Sequence, residues 1–281
     1  MDIERLQIDA NGLTFTARAA GPPRGRPVML LHGFPQTSWS WRDVLLSLGA
    51  EGFRAVAPDQ RGYSAGARPE AVGDYTMPCL VSDTLAIAAT MEMSSFDLIG
   101  HDWGGRVAWV TAALNTERVR SLSVVSTPHP DALRIARPEP DDGERSRYLD
   151  LFRRAEEPER LLRGPDGSGS GIRALFAPAG VDSSLVDEYV ATLTEPGALT
   201  AALNWYRADG VGVDGLPPVV VPTLYVWSTG DTALSRIAAE TTAEFVAGRY
   251  VFAVMEGVSH WVPEQAPEEL SRLLIEHLRT A

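Results

Sequence analysis

The sequence predicts an α/β fold: a mostly parallel sheet flanked by helices on both faces and interrupted by an inserted block of helices. Three observations carry this. Short apolar runs that read as buried strands alternate with longer helical runs from Val28 to Ser126. The alternation stops at Thr127-Pro128-His129-Pro130, gives way to helical, loop-broken sequence as far as Asp214, and resumes at Val219. Of 281 residues, 44% are hydrophobic and 22% charged, ample for a core and too apolar for chain-wide disorder. At about 150 residues per domain, this length suits two units or one large one.

Residues 6–19 alternate apolar and polar about Asn11-Gly12, a pair that accepts the positive φ values of a tight hairpin turn. Residues 28–31 are continuously apolar, as in a strand buried on both faces. Residues 41–48 read as a helix ended near Gly49, and 53–57 as a second buried strand. A helix over 78–91, with Pro78 in its first turn, leads to a strand over 96–99. A helix over 105–114 and a strand over 122–126 complete this half. Within the insertion, residues 164–171 (GPDGSGSG) read as a flexible loop and a mobile gate. Beyond it, a strand over 219–227, a helix over 233–245 and a strand over 250–255 are expected. A last helix starts at Pro267 and carries Leu270, Leu273, Leu274 and Leu278 on one face. The expected division is a core of residues 1–128 and 215–281 with an insertion over 129–214.

Composition removes several functions. Lys+Arg is 25 and Asp+Glu is 37, so the net charge is 25 − 37 = −12. Such a surface repels phosphate backbones, against nucleic acid or anionic membrane as partners. There is no lysine, hence no lysine Schiff base and no P-loop lysine. Cys79 is the single cysteine, which excludes an internal disulfide and a cysteine metal cluster; it reads as a small residue of a helix. No histidine–carboxylate spacing suggests a metal. The first ten residues carry charges and no apolar core, and no apolar run approaches a membrane span, so the expectation is a soluble, cytoplasmic protein. Residues 210–215 spell G-x-G-x-x-G, but Pro217-Pro218 and a strand follow where a dinucleotide site needs a helix.

The segment 96–105 (FDLIGHDWGG) runs a strand into Gly-x-Asp-x-Gly and then a helix, the spacing of a nucleophile elbow. Gly100 and Gly104 permit the sharp turn, and Asp102 is pushed out at the carboxyl end of the sheet. A serine there must first lose a proton, whereas a carboxylate is already ionised at neutral pH. It can attack an sp³ carbon that bears a leaving group, making an ester of itself, and water must then hydrolyse that ester. This second step needs a base and an oxyanion site. His260, between the last strand and the last helix, is the candidate base. Asp231, after the preceding strand, is the candidate acid that orients it, with an N-cap role for the next helix as the plain alternative and Asp131 in reserve. The backbone N–H groups of Phe34 and Trp103 are the candidate oxyanion donors. Pro35 fixes the Phe34 loop, a cis bond being one means. His32 and His101 read as structural supports of that loop and of the elbow. His129 marks the entrance to the insertion, and His277 lies on a helix face.

Five segments carry a resemblance: HGFPQTSWSW at 32–41, PDQRGYSAG at 58–66, GHDWGGRVAW at 100–109, WSTGD at 227–231 and GVSHWVPEQAPEEL at 257–270. In this order they resemble α/β-hydrolases with an aspartate nucleophile, a group that includes epoxide hydrolases and haloalkane and haloacetate dehalogenases. The order Asp102, Asp231, His260 is the nucleophile–acid–base order of that fold. The resemblance implies an α/β-hydrolase core, a helical cap formed by the insertion, and a site between them. The epoxide hydrolase branch fits best, through HGFP, HDWGG and Leu203-Asn204-Trp205-Tyr206-Arg207. It implies two cap tyrosines that donate to the epoxide oxygen: Tyr206, and Tyr148 through its Tyr-x-x-x-Phe spacing to Phe152, with Tyr189 as the reserve. Phenols suit an oxirane, whose leaving alkoxide is strongly basic and stays tethered. Against the dehalogenases, Phe34 stands where a halide-binding Asn is usual, although the Trp103 indole retains half of a halide site. Arg106 matches one of two arginines of the haloacetate enzymes, and Trp103 replaces the other; otherwise Arg106 reads as a surface or ion-pair residue. The implied activity is epoxide opening to a vicinal diol, with a dehalogenase or a non-catalytic ligand-binding protein as alternatives. No cofactor and no metal is called for. The partner is a small-molecule substrate, and a homodimer is an open expectation.

Overall fold

The computed structural model describes residues 2–136, 147–208 and 215–281. Its sheet has eight strands: β1 (Glu4–Ala10), β2 (Leu13–Ala20), β3 (Arg26–Leu31), β4 (Phe53–Pro58), β5 (Phe96–His101), β6 (Val119–Val125), β7 (Thr223–Gly230) and β8 (Tyr250–Ser259). Their spatial order is β1-β2-β4-β3-β5-β6-β7-β8. The β1–β2 and β2–β4 pairings are antiparallel and the rest parallel. The first pairing is the expected hairpin, with Ala10 opposite Leu13 and positive φ at Asn11 and Gly12.

The helices of the core are α1 (Arg42–Ala50), α2 (Met77–Thr90), α3 (Trp103–Leu114) and, later in the chain, α10 (Arg236–Thr241), α11 (Val262–Gln265) and α12 (Pro267–Thr280). Strand residues sort by parity between two apolar layers. Val28, Leu30, Ala55, Ile99, Val125, Leu224 and Val226 meet Leu45 and Leu48 of α1 and Leu270, Leu274 and Leu278 of α12. Met29, Leu31, Val56, Leu98, Leu122 and Val124 face Leu80 of α2 and Val107, Ala108 and Trp109 of α3. The strands are thus apolar on both sides because helices cover both sides.

Between β6 and β7 the described residues form helices α4 (Pro130–Ala136), α5 (Arg147–Arg153), α6 (Glu157–Arg163), α7 (Ser170–Phe176), α8 (Ser183–Leu193) and α9 (Ala198–Arg207). They seat on the core through aromatic and hydrogen-bond contacts. The rings of Phe176 and Trp261 lie 4.2 Å apart, the Trp205 indole donates to the Arg61 carbonyl at 2.8 Å, and Arg68 pairs with Glu195 at 2.7 Å.

Three elements differ from expectation. The GPDGSGSG stretch is exposed over 165–168 and packed only at its end: the Gly169 N–H donates to the Arg163 carbonyl at 2.8 Å, and a Cβ on Gly171 would lie 2.1 Å from the Leu161 carbonyl. Gly171 serves close backbone approach, whereas a Cβ on Gly167 would meet nothing within 4 Å, and α7 starts inside the stretch. The strand expected over 219–227 begins at Thr223, because Pro222 interrupts the ladder and Val219 makes only an isolated bridge to Val246. The helix expected over 233–245 shrinks to α10 plus a 3₁₀ turn over Thr242–Phe245, capped at Ser235. The G-x-G-x-x-G of 210–215 falls on residues 210–214, outside the described residues. Among the described residues, no helix is long and apolar enough to cross a membrane.

Candidate active site

Asp102 stands between the end of β5 and the start of α3, with φ 51° and ψ −122°. A non-glycine residue in that region is strained and persists only when its surroundings fix it. Here three glycines do. A Cβ on Gly100 would lie 2.3 Å from the Gly104 carbonyl, one on Gly104 2.2 Å from the Leu31 carbonyl, and one on Gly33 2.3 Å from the Asp102 side chain. Thr127 Oγ donates to the Asp102 carbonyl at 2.8 Å, and the Trp109 indole holds the Thr127 backbone at 3.0 Å.

The two carboxylate oxygens of Asp102 differ. Oδ1 accepts the Phe34 N–H at 2.9 Å, and the Trp103 amide at the head of α3 also donates to the carboxylate. Oδ2 lies 3.5 Å from His260 Nε2, and His260 Nδ1 is 2.8 Å from Asp231 Oδ2. The expected nucleophile, base, acid and donors are therefore brought together. Asp231 Oδ1 also accepts the N–H groups of Ala233 and Leu234. Those residues precede α10, however, so Asp231 organises the entering loop and Ser235 caps the helix. The reserve acid Asp131 instead pairs with Arg134 at 3.0 Å.

Charge follows from this geometry. Burial opposes a charged His260, but Asp231 and Asp102 together outweigh it and raise its pKa to about 10. Burial likewise pushes the Asp102 carboxyl up, yet the hydrogen bond and charge of His260 hold it below its ordinary value. Both shifts favour a charged His260 beside an ionised Asp102 in the free site.

Phe34 bonds Pro35 in cis. His32 supports this loop as a neutral tautomer: Nδ1 donates to the Gly33 carbonyl at 2.9 Å, and Nε2 accepts the Gln60 N–H at 3.1 Å. Tyr206 of α9 meets Phe34, Trp103 and Phe152 edge to face, with centroids 5.3, 5.0 and 5.1 Å away. Burial, then the Asp102 charge and neighbouring Tyr148, raise the Tyr206 pKa well above its usual value, so its hydroxyl stays protonated; donation from the Trp103 indole works the other way. Tyr148, on α5, packs against Phe152 at 5.7 Å. Tyr189 does not face the nucleophile in this way, because its hydroxyl donates to Glu264 at 2.8 Å. Arg106 lies over the Trp103 ring at 5.1 Å. Cys79, in α2, is half-buried and accepts from Thr76 Oγ at 3.3 Å.

Sequence reasoning left Gln36, Glu264, Ser126 and the hydrogen bonds of His101 unassigned. His101 Nε2 and Ser126 Oγ both reach the His260 carbonyl, at 2.8 and 3.1 Å. Gln36 and Glu264 lie inside quoted segments, yet nothing in either segment tells that the two meet.

The α/β hydrolase family model matches residues 28–273. The chain belongs to the α/β hydrolase family. Among curated relatives of this hydrolase, Epoxide hydrolase A of Mycobacterium tuberculosis is 30% identical over 98% of this chain and 97% of its own length. The AB hydrolase superfamily protein YfhM of Bacillus subtilis is 34% identical over 97% of this chain and 96% of its own. Among solved structures, an epoxide hydrolase from hot-environment metagenomes superposes with TM-score 0.88 at 27% identity, covering 99% of both chains. One from Vigna radiata gives 0.86 at 25% identity, again over 99% of both. These likenesses place the hydrolase in the epoxide hydrolase branch.

Proposed function

We propose that this chain opens epoxides to vicinal diols through an ester formed on Asp102, with residues 129–214 as a cap over the site. The observation that carries the reading is the split carboxylate: Oδ1 held by Phe34 N–H, Oδ2 facing His260. Oδ2 attacks an oxirane carbon and the C–O bond of the ring breaks. Tyr206 and Tyr148 hydrogen-bond the leaving oxygen and protonate it. The ester is neutral, so His260 loses one of the two carboxylates that kept it charged, and its proton makes good the one given to the alkoxide. Carboxylate, imidazolium and epoxide have then become ester, neutral imidazole and alcohol.

The neutral imidazole is now a base. It takes a proton from water as the water oxygen adds to Cγ of the ester. Negative charge develops on Oδ1, already held by the Phe34 N–H, with the Trp103 N–H beside the same carboxylate as second donor. Collapse breaks the Cγ–O bond to the product; the leaving oxygen takes the proton of the hydroxyl that water left on Cγ, so the diol departs and carboxylate and imidazolium are restored. Asp231 keeps the Nδ1 proton in place throughout. A small organic epoxide is the only partner this requires. The relatives named epoxide hydrolases support the substrate class. A halide site is less well supported, since Phe34 stands where the dehalogenases usually carry a halide-binding Asn.

The test is a single turnover of a terminal epoxide by excess enzyme in ¹⁸O water. The expected first diol carries no label and Asp102 acquires it. Label in the first diol with none in Asp102 would mean direct attack by water and would overturn the ester.

A further inference from the structure

A polar chain runs behind His260 that the reaction above does not use. Glu264 Oε1 lies 2.5 Å from the Gln36 side-chain amide and accepts from the Tyr189 hydroxyl at 2.8 Å. The other end of that amide lies 2.8 Å from His101 Nδ1, and His101 Nε2 lies 2.8 Å from the His260 carbonyl. Gln36 and His101 are fully buried, and Glu264 Oε2 is buried with no hydrogen-bond partner.

Hydrogen-bond accounting limits how protons are arranged. The His260 carbonyl can only accept, so His101 Nε2 must carry a proton. If Gln36 presents its oxygen to Nδ1, Nδ1 must carry one too, and His101 is a buried cation with Glu264 as a carboxylate two groups away. Turning the amide over removes both charges. The Gln36 NH₂ then donates to Nδ1, and its oxygen accepts a proton from a neutral Glu264. Amide nitrogen and oxygen are assigned by their network, so this is a choice between two chains of equal proton count. Two observations favour the neutral one. A bare buried oxygen is tolerable on a neutral acid and costly on a carboxylate. The contact given up, Gly33 N–H to Gln36 at 3.3 Å, is already long.

We propose that Glu264 is a neutral carboxylic acid whose proton, passed as hydrogen bonds through Gln36 and His101, positions the backbone of the base His260 and ties it to the cap through Tyr189. The surroundings agree. Burial raises the Glu264 pKa against Gln36, Tyr189 and the nearby His260, with Arg18 and Arg42 beyond Tyr189. Burial and the charge of His260 lower that of His101 to about 4, despite Asp102 and Asp231. Glu264 is a positioning residue: it touches neither Asp102 nor the reacting carbon. Its role in turnover rests on the ester reading above; its protonation does not.

Infrared difference spectroscopy of the ligand-free protein, wild type against Glu264→Gln at pH 7, reads the protonation alone. The expected result is a carboxylic acid C=O band, shifted in D₂O and absent from Glu264→Gln. Its absence from the wild type would overturn the proposal whatever the substrate. Rapid-quench kinetics with a terminal epoxide then read the positioning. Glu264→Gln keeps a neutral donor, and ester hydrolysis should slow less than threefold. Glu264→Leu breaks the chain; hydrolysis should slow more than tenfold while ester formation changes less than threefold, so the ester accumulates. Equal loss in both variants would indicate a required charge and would overturn the proposal, as would a Glu264→Leu enzyme of wild-type rate. If no epoxide reacts with the wild type, the ester reading fails while the infrared result still decides the proton.

Discussion

Gly33→Ala tests the coupling between the oxyanion loop and the nucleophile. The added methyl would lie 2.3 Å from both Cβ and Oδ1 of Asp102, where ordinary contact begins at 3.4 Å. The deficit is 3.4 − 2.3 = 1.1 Å. The loop cannot absorb it without moving Phe34, whose N–H holds Oδ1 at 2.9 Å. Asp102 cannot absorb it without turning, because Gly100 and Gly104 pin its backbone against the Leu31 and Gly104 carbonyls. One of the two must yield by about 1 Å, a displacement that typically costs about 10²-fold in rate. That is about 2.7 kcal/mol of activation free energy. Overpacking should lower stability by only about 1–3 kcal/mol, so the variant folds. Gly73→Ala is the control, since a Cβ there meets nothing within 4 Å. The assay is single-turnover ester formation with a terminal epoxide, alongside urea denaturation of both variants. A Gly33→Ala enzyme that alkylates within threefold of wild type would show that the carboxylate is not held as described.

Two further outcomes follow from the same geometry. Tyr206→Phe removes a buried, protonated donor beside Asp102 and should slow ring opening by about 10²-fold or more, whereas Tyr189→Phe should leave ring opening within threefold, because that hydroxyl serves Glu264; equal effects in rapid-quench assays would contradict the assignment. Stability should peak near neutral pH. Burial lowers the pKa of His129 and His277 to about 4, so their contribution is present above the unfolded value near 6.5 and is lost as pH falls from there towards 4. His260 works oppositely: against burial, its carboxylates raise its pKa to about 10, so its contribution is full below about 6.5 and disappears as pH rises towards 10. Urea midpoints measured from pH 4.5 to pH 10 should fall on both sides, and a flat profile would be inconsistent with these burials.

The fold was legible where a local pattern decides it. Apolar runs such as 28–31 are buried on both faces, and the Asn11-Gly12 turn sets the first hairpin register. The elbow was legible because its glycines act within five residues of Asp102. Legibility ended where distant segments compete for the same groups. Pro222 and Val246 shorten β7, and Asp231 takes the N–H groups that would have started α10 early. Composition alone did not show that the 164–171 loop runs into α7, because a glycine needed for close packing, such as Gly171, looks like one left for flexibility. The Glu264–Gln36–His101 chain joins residues from three segments, and no spacing in one segment announces it.

The central claim is the ester on Asp102, and the mass of the intact protein tests it most directly. His260→Gln keeps the nucleophile and loses the base, so the ester should form and persist. Offered a panel of epoxides and chloroalkanes, it should gain the whole mass of an epoxide, and His260→Gln combined with Asp102→Asn should gain nothing. An alkyl adduct lacking halide would make the chain a dehalogenase. Diol production by the wild type from an epoxide that leaves no adduct on His260→Gln would contradict the account.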